Sequence, residues 1–257
     1  MKPFTIAFPL PVSKEDAPKF LLEKLNIDSS KKQIMLPGSS ILFEPVLQGS
    51  SAGLEIIFAE HSKLTAEEKT AIAAHMSLFF LQFFIKTDAE FESFLNVAKK
   101  ILDAGALGVY VENSGCAWSG KAFENLVSGD VPLEAFINFV ETSDSMFTLG
   151  MEPFNAPDIC IATKNDKLDL RAVLISAADS IVSDGADFSS GAKWKDDAGN
   201  EFEFRNESKP PFAKNAPEWN AQGYARLVAK TGKKGLSSHI KTGDEFDFKK
   251  QGWHDKI

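Results

Sequence analysis

The chain has 257 residues, of which 44% are hydrophobic and 25% are charged, and its formal net charge is −8. This composition is that of a globular protein with a sizeable core. The acidic balance argues against nucleic-acid binding, and no apolar run reaches the ~18 residues that a membrane span requires. Two cysteines provide no disulfide framework, so we expect a reduced, cytoplasmic protein.

The first part of the chain predicts a strand, a helix and two further strands. The run "FTIAFPLP" predicts the first strand, and the spacing of Phe20, Leu21 and Leu25 predicts a helix with Ser13 as its N-cap. The runs "SILFEPVLQ" and "GLEIIFAE" predict two strands, separated by the turn residues "GSSAG".

The middle of the chain predicts two capped helices with a buried strand between them. Thr65 with Glu68, and Thr87 with Glu90, have the spacing of a capping box. The run "SLFFLQFFI" has no polar alternation and predicts a strand covered on both faces. A further strand, "ALGVYVE", follows the second helix, so residues 76–112 predict two parallel strands paired through a helical crossover.

The second half predicts two short helices, several strands and a hairpin. Helices are expected at "GKAFENLVSG" and at "DVPLEAFINFV", the latter capped by Asp130. Strands are expected at "SMFTLGME" and "APDICIAT", followed by a helix, "LDLRAVLISAADSIVSDG", that ends at Gly185. A hairpin is predicted around residues 197–200, and "YARLVAK" predicts one strand within an irregular C-terminal wrap.

These elements predict an α/β or α+β fold with a mixed central sheet flanked by amphipathic helices and built from several strand–helix units. We expect the sheet to contain Met76–Lys86 and Leu107–Glu112. The predicted domain organisation is a single domain over residues 1–257, with an N-terminal subregion over 1–60 and a C-terminal hairpin and wrap over 190–257.

The stretch "GVYVENSGCAWSG" is the best candidate for a functional site. It reads as a strand, then a loop of small and polar residues over 113–119, then a helix, which is where α/β sheets commonly bind ligands. A thiol close to a helix N-terminus has a lowered pKa, so Cys116 is a candidate nucleophile. The candidate ligand-binding residues are Asn113, Ser114, Trp118 and Ser119.

Other features of the sequence argue against catalysis at this stretch. Ala117 stands where a papain-type site has an aromatic residue, and neither serine has the Gly-x-Ser-x-Gly spacing. His61 and His75 could assist Cys116 only if the fold brings them near, and a buried structural thiol is the alternative. Since no histidines have metal-ligand spacing and no glycine motif for nucleotides is present, we expect neither a metal nor a cofactor.

Two segments, "AGLEIIFAEHSKLTAEEKTAIAAHMSLFFLQFF" and "ALGVYVENSGCAWSGKAF", resemble the middle of an uncharacterised, mainly bacterial family, domain of unknown function 4261. In that family a histidine precedes an apolar strand, the place of His75 here, and "GVYVENSG" matches its aromatic-bearing strand. The run "LISAADSIVSDGADFSSG" and the hairpin after it resemble the family's C-terminal part, so the resemblance spans residues 53–207. It implies a bacterial α/β or α+β protein and brings no catalytic residues with it.

Three functions stay open at this point. The acidic charge and the lack of a complete catalytic set favour a cytoplasmic, non-catalytic binding or regulatory protein, whose partner is a small molecule or a protein, such as a basic one. The second alternative is a small-molecule hydrolase or transferase that uses the loop 113–119. The third is a structural protein that self-associates through a surface rich in phenylalanine, of which the chain has 22. Neither nucleic acid nor a membrane is expected as a partner.

Overall fold

The computed structural model describes residues 2–36, 38–164, 168–207, 212–214, 216 and 219–230. These residues form a mixed α/β fold, which confirms the predicted class, and the strands are divided between two six-stranded sheets. No helix in these ranges has the length and apolar character needed to cross a membrane. The end of the predicted C-terminal wrap, from residue 231 onward, lies outside the described residues.

The first sheet is antiparallel between all neighbouring strands. Its strands are β1 (Phe4–Leu10), β2 (Ile34–Met35), β3 (Leu42–Gly49), β4 (Ser77–Phe83), β5 (Gly108–Val111) and β6 (Cys116–Ser119). They lie in the order β2-β3-β4-β1-β5-β6, so the predicted subregion 1–60 supplies three strands of a sheet that extends beyond it.

The predicted direct pairing of β4 with β5 is wrong. The two strands do run in the same direction, but β1 lies between them and pairs antiparallel with both. Every residue of β1 is buried, because the strand is paired on both edges and covered by side chains on both faces. Its apolar composition fits this central position. The crossover from β4 therefore passes over β1 to reach β5.

Helices cover one face of the first sheet completely and the other face in part. The fully covered face packs against α1 (Ala17–Leu25), α4 (Asp88–Asp103) and α5 (Gly120–Val127). The other face is covered at one end by α2 (Leu54–His61) and α3 (Ala66–Ala73). Thr65 and Glu68 form the predicted capping box, and Thr87 Oγ1 accepts from Glu90 N at 3.2 Å, but the Glu90 carboxylate accepts from Lys86 N, so the second box is incomplete. The N-cap of α1 is Asp16, so the predicted cap at Ser13 is wrong.

The run "GLEIIFAE" is the helix α2, so the predicted strand is wrong. Leu54 and Phe58 are spaced by four residues, lie on one side of the helix and are buried against Tyr110 and Ala117 of the sheet. The paired isoleucines favour a strand locally, but packing on the sheet decides the conformation. Gly53 begins the helix with φ 83°, in the left-handed region.

The second sheet contains one parallel pair and is the mixed sheet of the molecule. Its strands are β7 (Asn138–Glu141), β8 (Ser145–Leu149), β9 (Asp158–Ala162), β10 (Lys193–Lys195), β11 (Glu201–Asn206) and β12 (Tyr224–Ala229). They lie in the order β10-β11-β12-β9-β8-β7, with β9 and β12 parallel and the other neighbours antiparallel. Helix α6 (Leu170–Val182) packs on this sheet, and the hairpin predicted around 197–200 joins β10 to β11.

The run "DVPLEAFINFV" is not the predicted helix. Only one 3₁₀ turn forms, at Pro132–Ala135, and the chain then enters β7. The reason is that neighbouring residues belong to different cores: Phe136 packs in the core of the first sheet, whereas Leu133 and Ile137 pack in that of the second. A single apolar stripe on a helix could not reach both cores, so the segment crosses between the two sheets instead.

Candidate functional site

The predicted loop over 113–119 is a tight hairpin followed directly by a helix. Residues 112–115 form the turn, and the strands β5 and β6 pair with Val111 opposite Cys116. Gly115 has φ 75°, which a residue with a side chain adopts at a cost. All four residues of β6 are buried, so the expectation of an open loop between Cys116 and Ser119 is wrong. Small residues such as Ala117 suggested a loop, but they are buried in this strand and pack against the neighbouring core.

Cys116 has the environment of a structural thiol. Its side chain is 1% exposed, and burial raises its pKa to about 12, although a hydrogen bond with Ser114 and the charge of Arg171 oppose this shift. A thiol with this pKa stays protonated at neutral pH and is a poor nucleophile. The prediction that a helix N-terminus lowers the pKa of Cys116 is therefore wrong.

The two histidines considered as partners of Cys116 contact other groups. His75 is buried: its Nδ1 donates to Ile72 O at 2.7 Å, and its Nε2 accepts from Ser51 N at 3.0 Å. These two hydrogen bonds fix the orientation of the ring. The His61 ring lies edge-on to Trp118, with ring centroids 5.7 Å apart.

Asn113 and Ser114 connect the turn of the hairpin to neighbouring strands. Asn113 Oδ1 accepts from Thr5 N at 2.8 Å, and its Nδ2 donates to Pro3 O at 3.0 Å, so this side chain continues the hydrogen-bond ladder of β1. Ser114 O accepts from Asn138 Nδ2 at 3.2 Å, which joins the hairpin to β7 of the second sheet. Both residues thus hold backbone segments together.

Trp118 and Ser119 are also engaged within the fold. Trp118 Nε1 donates to Ala135 O at 2.7 Å, which ties β6 to the segment that crosses between the sheets. Ser119 caps α5, since its Oγ accepts from Ala122 N at 3.4 Å, and its own N–H donates to Ser62 Oγ at 3.1 Å. The predicted ligand-binding residues therefore lie together, but each has a structural partner.

A buried carboxylate that the sequence analysis did not single out lies close to Asn113. Asp158, at the start of β9, is 2% exposed; its Oδ1 accepts from Thr148 Oγ1 at 3.1 Å and from Met151 N at 3.3 Å, and its Oδ2 accepts from Asn220 Nδ2 at 2.9 Å. Burial raises the pKa of Asp158 to about 7, against the effect of these three donors. An acidic residue at the start of an otherwise apolar strand was the signal in the sequence.

The space at this carboxylate is too small for a substrate. Asn113, Asp158 and Asn220 line a cavity of about 10 Å³, which is close to the volume that one water molecule needs. The cluster therefore acts on stability, by joining β8, β9 and the segment before β12 within the second sheet.

The open part of the first sheet carries a row of exposed apolar side chains. Met35 of β2 lies opposite Leu42 of β3, and continuing the register of β3 with β4 places Phe84 opposite Leu42 on its other side. Val46 lies on the same face, four residues along β3. We call these four residues the apolar row; their exposed fractions are 60% for Met35, 54% for Leu42, 46% for Phe84 and 41% for Val46.

Comparisons with protein-family models, curated proteins and solved structures found no match to this chain. The resemblance to domain of unknown function 4261 thus depends on the quoted segments alone and stays a prediction. Within the described ranges, no three or more His, Cys, Asp or Glu side chains are grouped so that they could hold a metal ion.

Proposed function

We propose that this protein is a cytoplasmic, non-catalytic binding or regulatory protein whose partner is a basic protein. The observation that carries the proposal is the apolar row, in which Met35, Leu42 and Phe84 are neighbours on an open sheet face and Val46 lies further along the same face, beyond Glu44. Clustered exposed apolar residues of this kind mark interaction surfaces, whereas isolated ones are ordinary. The two free cysteines are consistent with a reducing compartment.

The charge of the chain favours a basic partner over other proteins. Residues 231–257 contain six lysines and four acidic residues, so the first 230 residues carry a net charge of −10. Glu44 lies between Leu42 and Val46 on the open face, where it accepts a hydrogen bond from Gln33 Nε2 at 3.1 Å. The overall field steers a basic protein toward the molecule, and the apolar row supplies the contact area.

The two alternative functions have less support. A hydrolase or transferase would need reactive groups in the segment 113–119, whose polar groups bind neighbouring parts of the chain and whose Cys116 is buried with a raised pKa. The hypothesis of self-association through a phenylalanine-rich surface has less support because at least twelve phenylalanines are fully buried. Two copies meeting at the apolar row would also bring two strongly acidic molecules together.

A capture experiment with matched variants tests the proposal. The immobilised wild-type chain, the double variant Leu42→Ser/Phe84→Ser and the control Phe188→Ser are incubated with native lysate at physiological salt. Phe188 is exposed but lies outside the apolar row. We expect a basic protein that is retained by the wild type and by the control and is lost with the double variant.

Two results would contradict this expectation. One is a wild-type chain that retains no basic protein, and the other is equal retention by the wild type and by the double variant. Sedimentation of the same three proteins distinguishes self-association, because a dimer that only the double variant abolishes would make a second copy the occupant of the row.

A further inference from the structure

Within the described residues, the outer edge of β3 has no partner strand along most of its length. β3 has eight residues, but β2 has only two and pairs only with Leu42 and Phe43. The remainder of β3, over residues 44–49, pairs with β4 on one side alone. This part of the strand is open to solvent, and its exposed residues are Glu44, Val46, Gln48 and Gly49.

The register of the sheet shows which backbone groups of β3 point outward. Thr5 O and Pro9 O of β1 accept from N–H groups at the two ends of β5, at 3.0 and 2.9 Å. Backbone groups point to alternate sides along a strand, so Ile6 faces β4, and its partner Leu81 faces back toward β1. Pro45 lies opposite Leu81 and therefore points away from β4.

The outward backbone groups of this edge are those of Pro45, Leu47 and Gly49, by the same alternation. Proline has no N–H, so Pro45 presents only its carbonyl group, whereas Leu47 and Gly49 each present an N–H and a carbonyl group. No residue of the part of the chain that the structure describes forms a hydrogen bond with these groups. The edge is therefore a short row of donors and acceptors that face solvent.

The opposite edge of the same sheet is closed. All of β6 is buried, and its outward backbone groups are bound by one side chain. Ser119 N donates to Ser62 Oγ at 3.1 Å, and Ser62 Oγ donates to Ala117 O at 3.2 Å. The fold thus protects one edge of the sheet and leaves the other open, and an open edge is where another chain can add a strand.

We propose that residues 45–49 of β3 bind an extended, basic segment of the partner protein by strand addition. The basic character of the segment rests on the proposed function, whereas its extended conformation follows from the edge, because backbone groups at this spacing are satisfied together by a neighbouring strand. The residue that pairs opposite Val46 places its side chain on the open face, beside the apolar row. Glu44 on the same face provides a carboxylate for a basic side chain.

Amide hydrogen exchange of the full chain, followed by NMR, tests the proposal. In the free protein, the outward N–H groups of Leu47 and Gly49 should exchange at least about tenfold faster than those of Val46 and Gln48, which face β4. A seven-residue peptide of alternating lysine and valine, added until it occupies about nine-tenths of the protein, should slow the exchange of Leu47 and Gly49 about tenfold. A peptide of alternating glutamate and valine at the same concentration should leave it unchanged.

Two variants of one residue isolate the role of a backbone donor. Gly49→Pro removes the outward N–H, and the control Gly49→Ala keeps it. A Cβ on Gly49 meets open space, and its φ lies outside the left-handed region, so both variants are compatible with the fold, which circular dichroism checks. We expect Gly49→Pro to bind the lysine–valine peptide about tenfold more weakly than Gly49→Ala does, because a carbonyl group of the peptide loses its donor.

Several results would overturn strand addition at this edge. One is slow exchange of the Leu47 and Gly49 amides in the free protein, since another part of the chain or a second copy would then already cover the edge. Others are unchanged exchange with the lysine–valine peptide, equal effects of the two peptides, and equal binding by the two variants of Gly49.

The capture experiment with lysate separates this inference from the proposed function. A basic protein that Gly49→Pro and Gly49→Ala retain equally would overturn strand addition and leave the proposed function intact. A basic protein that Gly49→Ala retains and Gly49→Pro loses would support both. A wild-type chain that retains no basic protein would contradict the proposed function, and with it the basic character of the segment.

Discussion

Asp158 makes the stability of this protein depend on pH. The carboxyl is fully buried, and its three hydrogen-bond donors, on Thr148, Met151 and Asn220, are all neutral. Burial raises its pKa from 3.8 to about 7 in the folded protein, with a small contribution in the same direction from the charge of Glu152. The folded protein therefore holds this proton over a pH range in which the unfolded chain has lost it.

The sign of the effect follows from proton binding in the two states. Between the unfolded pKa of 3.8 and the folded pKa of about 7, the folded state binds more protons, so the free energy of unfolding falls as the pH rises. Above the folded pKa both states are ionised, and the slope disappears. At about 1.4 kcal/mol per pKa unit, full ionisation costs the folded state roughly 4 kcal/mol, of which roughly 2 to 3 kcal/mol falls between about pH 5 and about pH 8.

Replacement of Asp158 by Asn should remove this dependence. Asn cannot ionise, and its Oδ1 can still accept from Thr148 and Met151, but its amide group would face the donor of Asn220, which costs about 1 kcal/mol. The variant should therefore be close to the wild type in stability at about pH 5, where the wild type has lost only part of the roughly 4 kcal/mol, and more stable at about pH 8, where the wild type has lost nearly all of it.

Urea unfolding of the wild type and of Asp158→Asn, followed by circular dichroism at both pH values, measures the effect. Glu112→Gln is the control. Burial also raises the pKa of the half-buried Glu112, so this residue gives the pH dependence of stability a slope of the same sign, and the variant measures that share. A wild type that is equally stable at both pH values, or a slope that persists unchanged in Asp158→Asn, would refute the reasoning.

Three further predictions concern the hairpin and the residues packed on it. Iodoacetamide should label Cys116 and Cys160 equally slowly in the native protein, because burial raises both pKa values to about 12; faster labelling of Cys116 alone would restore it as a nucleophile. Gly150→Ala should lower the free energy of unfolding by about 2 kcal/mol or more, since φ is 108° and a Cβ would stand 2.8 Å from a carbonyl oxygen. The control Gly199→Ala, at φ 84° in open space, should lower it less. Equal losses of stability in urea unfolding would contradict this prediction. Asn113→Ala should cost about 2 kcal/mol in the same assay, because it removes the hydrogen bonds to Pro3 and Thr5, and an unchanged midpoint would show that they contribute nothing.

Most features decided by residues close together in the chain were predicted correctly, although the predicted caps at Ser13 and Asp130 were not. The capping residues Thr65 and Thr87 begin helices, Gly185 follows α6, and the hairpin around 197–200 has the predicted turn. In each case the determining contacts lie within four or five positions, so they can be recognised in the sequence alone. The mixed α/β class follows from the same local signals.

Features decided by burial against distant segments were missed. The run at Leu54–His61 is a helix because it packs on β5 and β6, some 50 to 60 residues later in the chain. Residues 131–137 cross between two cores that the sequence does not separate, and Cys116–Ser119 forms a strand because β5 pairs with it. Apolar periodicity identifies a buried side but not the partner that buries it.

The sequence by itself determined the acidic charge of this protein, its class and most of its helices and strands, because these depend on composition and on neighbouring residues. Tertiary structure alone decided that β1 lies between β4 and β5, that the strands form two sheets and that Cys116 is buried. It also produced the Asp158 cluster, where Asn220 donates from 62 residues away. The pKa and the exposure of a side chain depend on groups that only folding brings together, so a candidate site can be located in the sequence while its chemistry cannot.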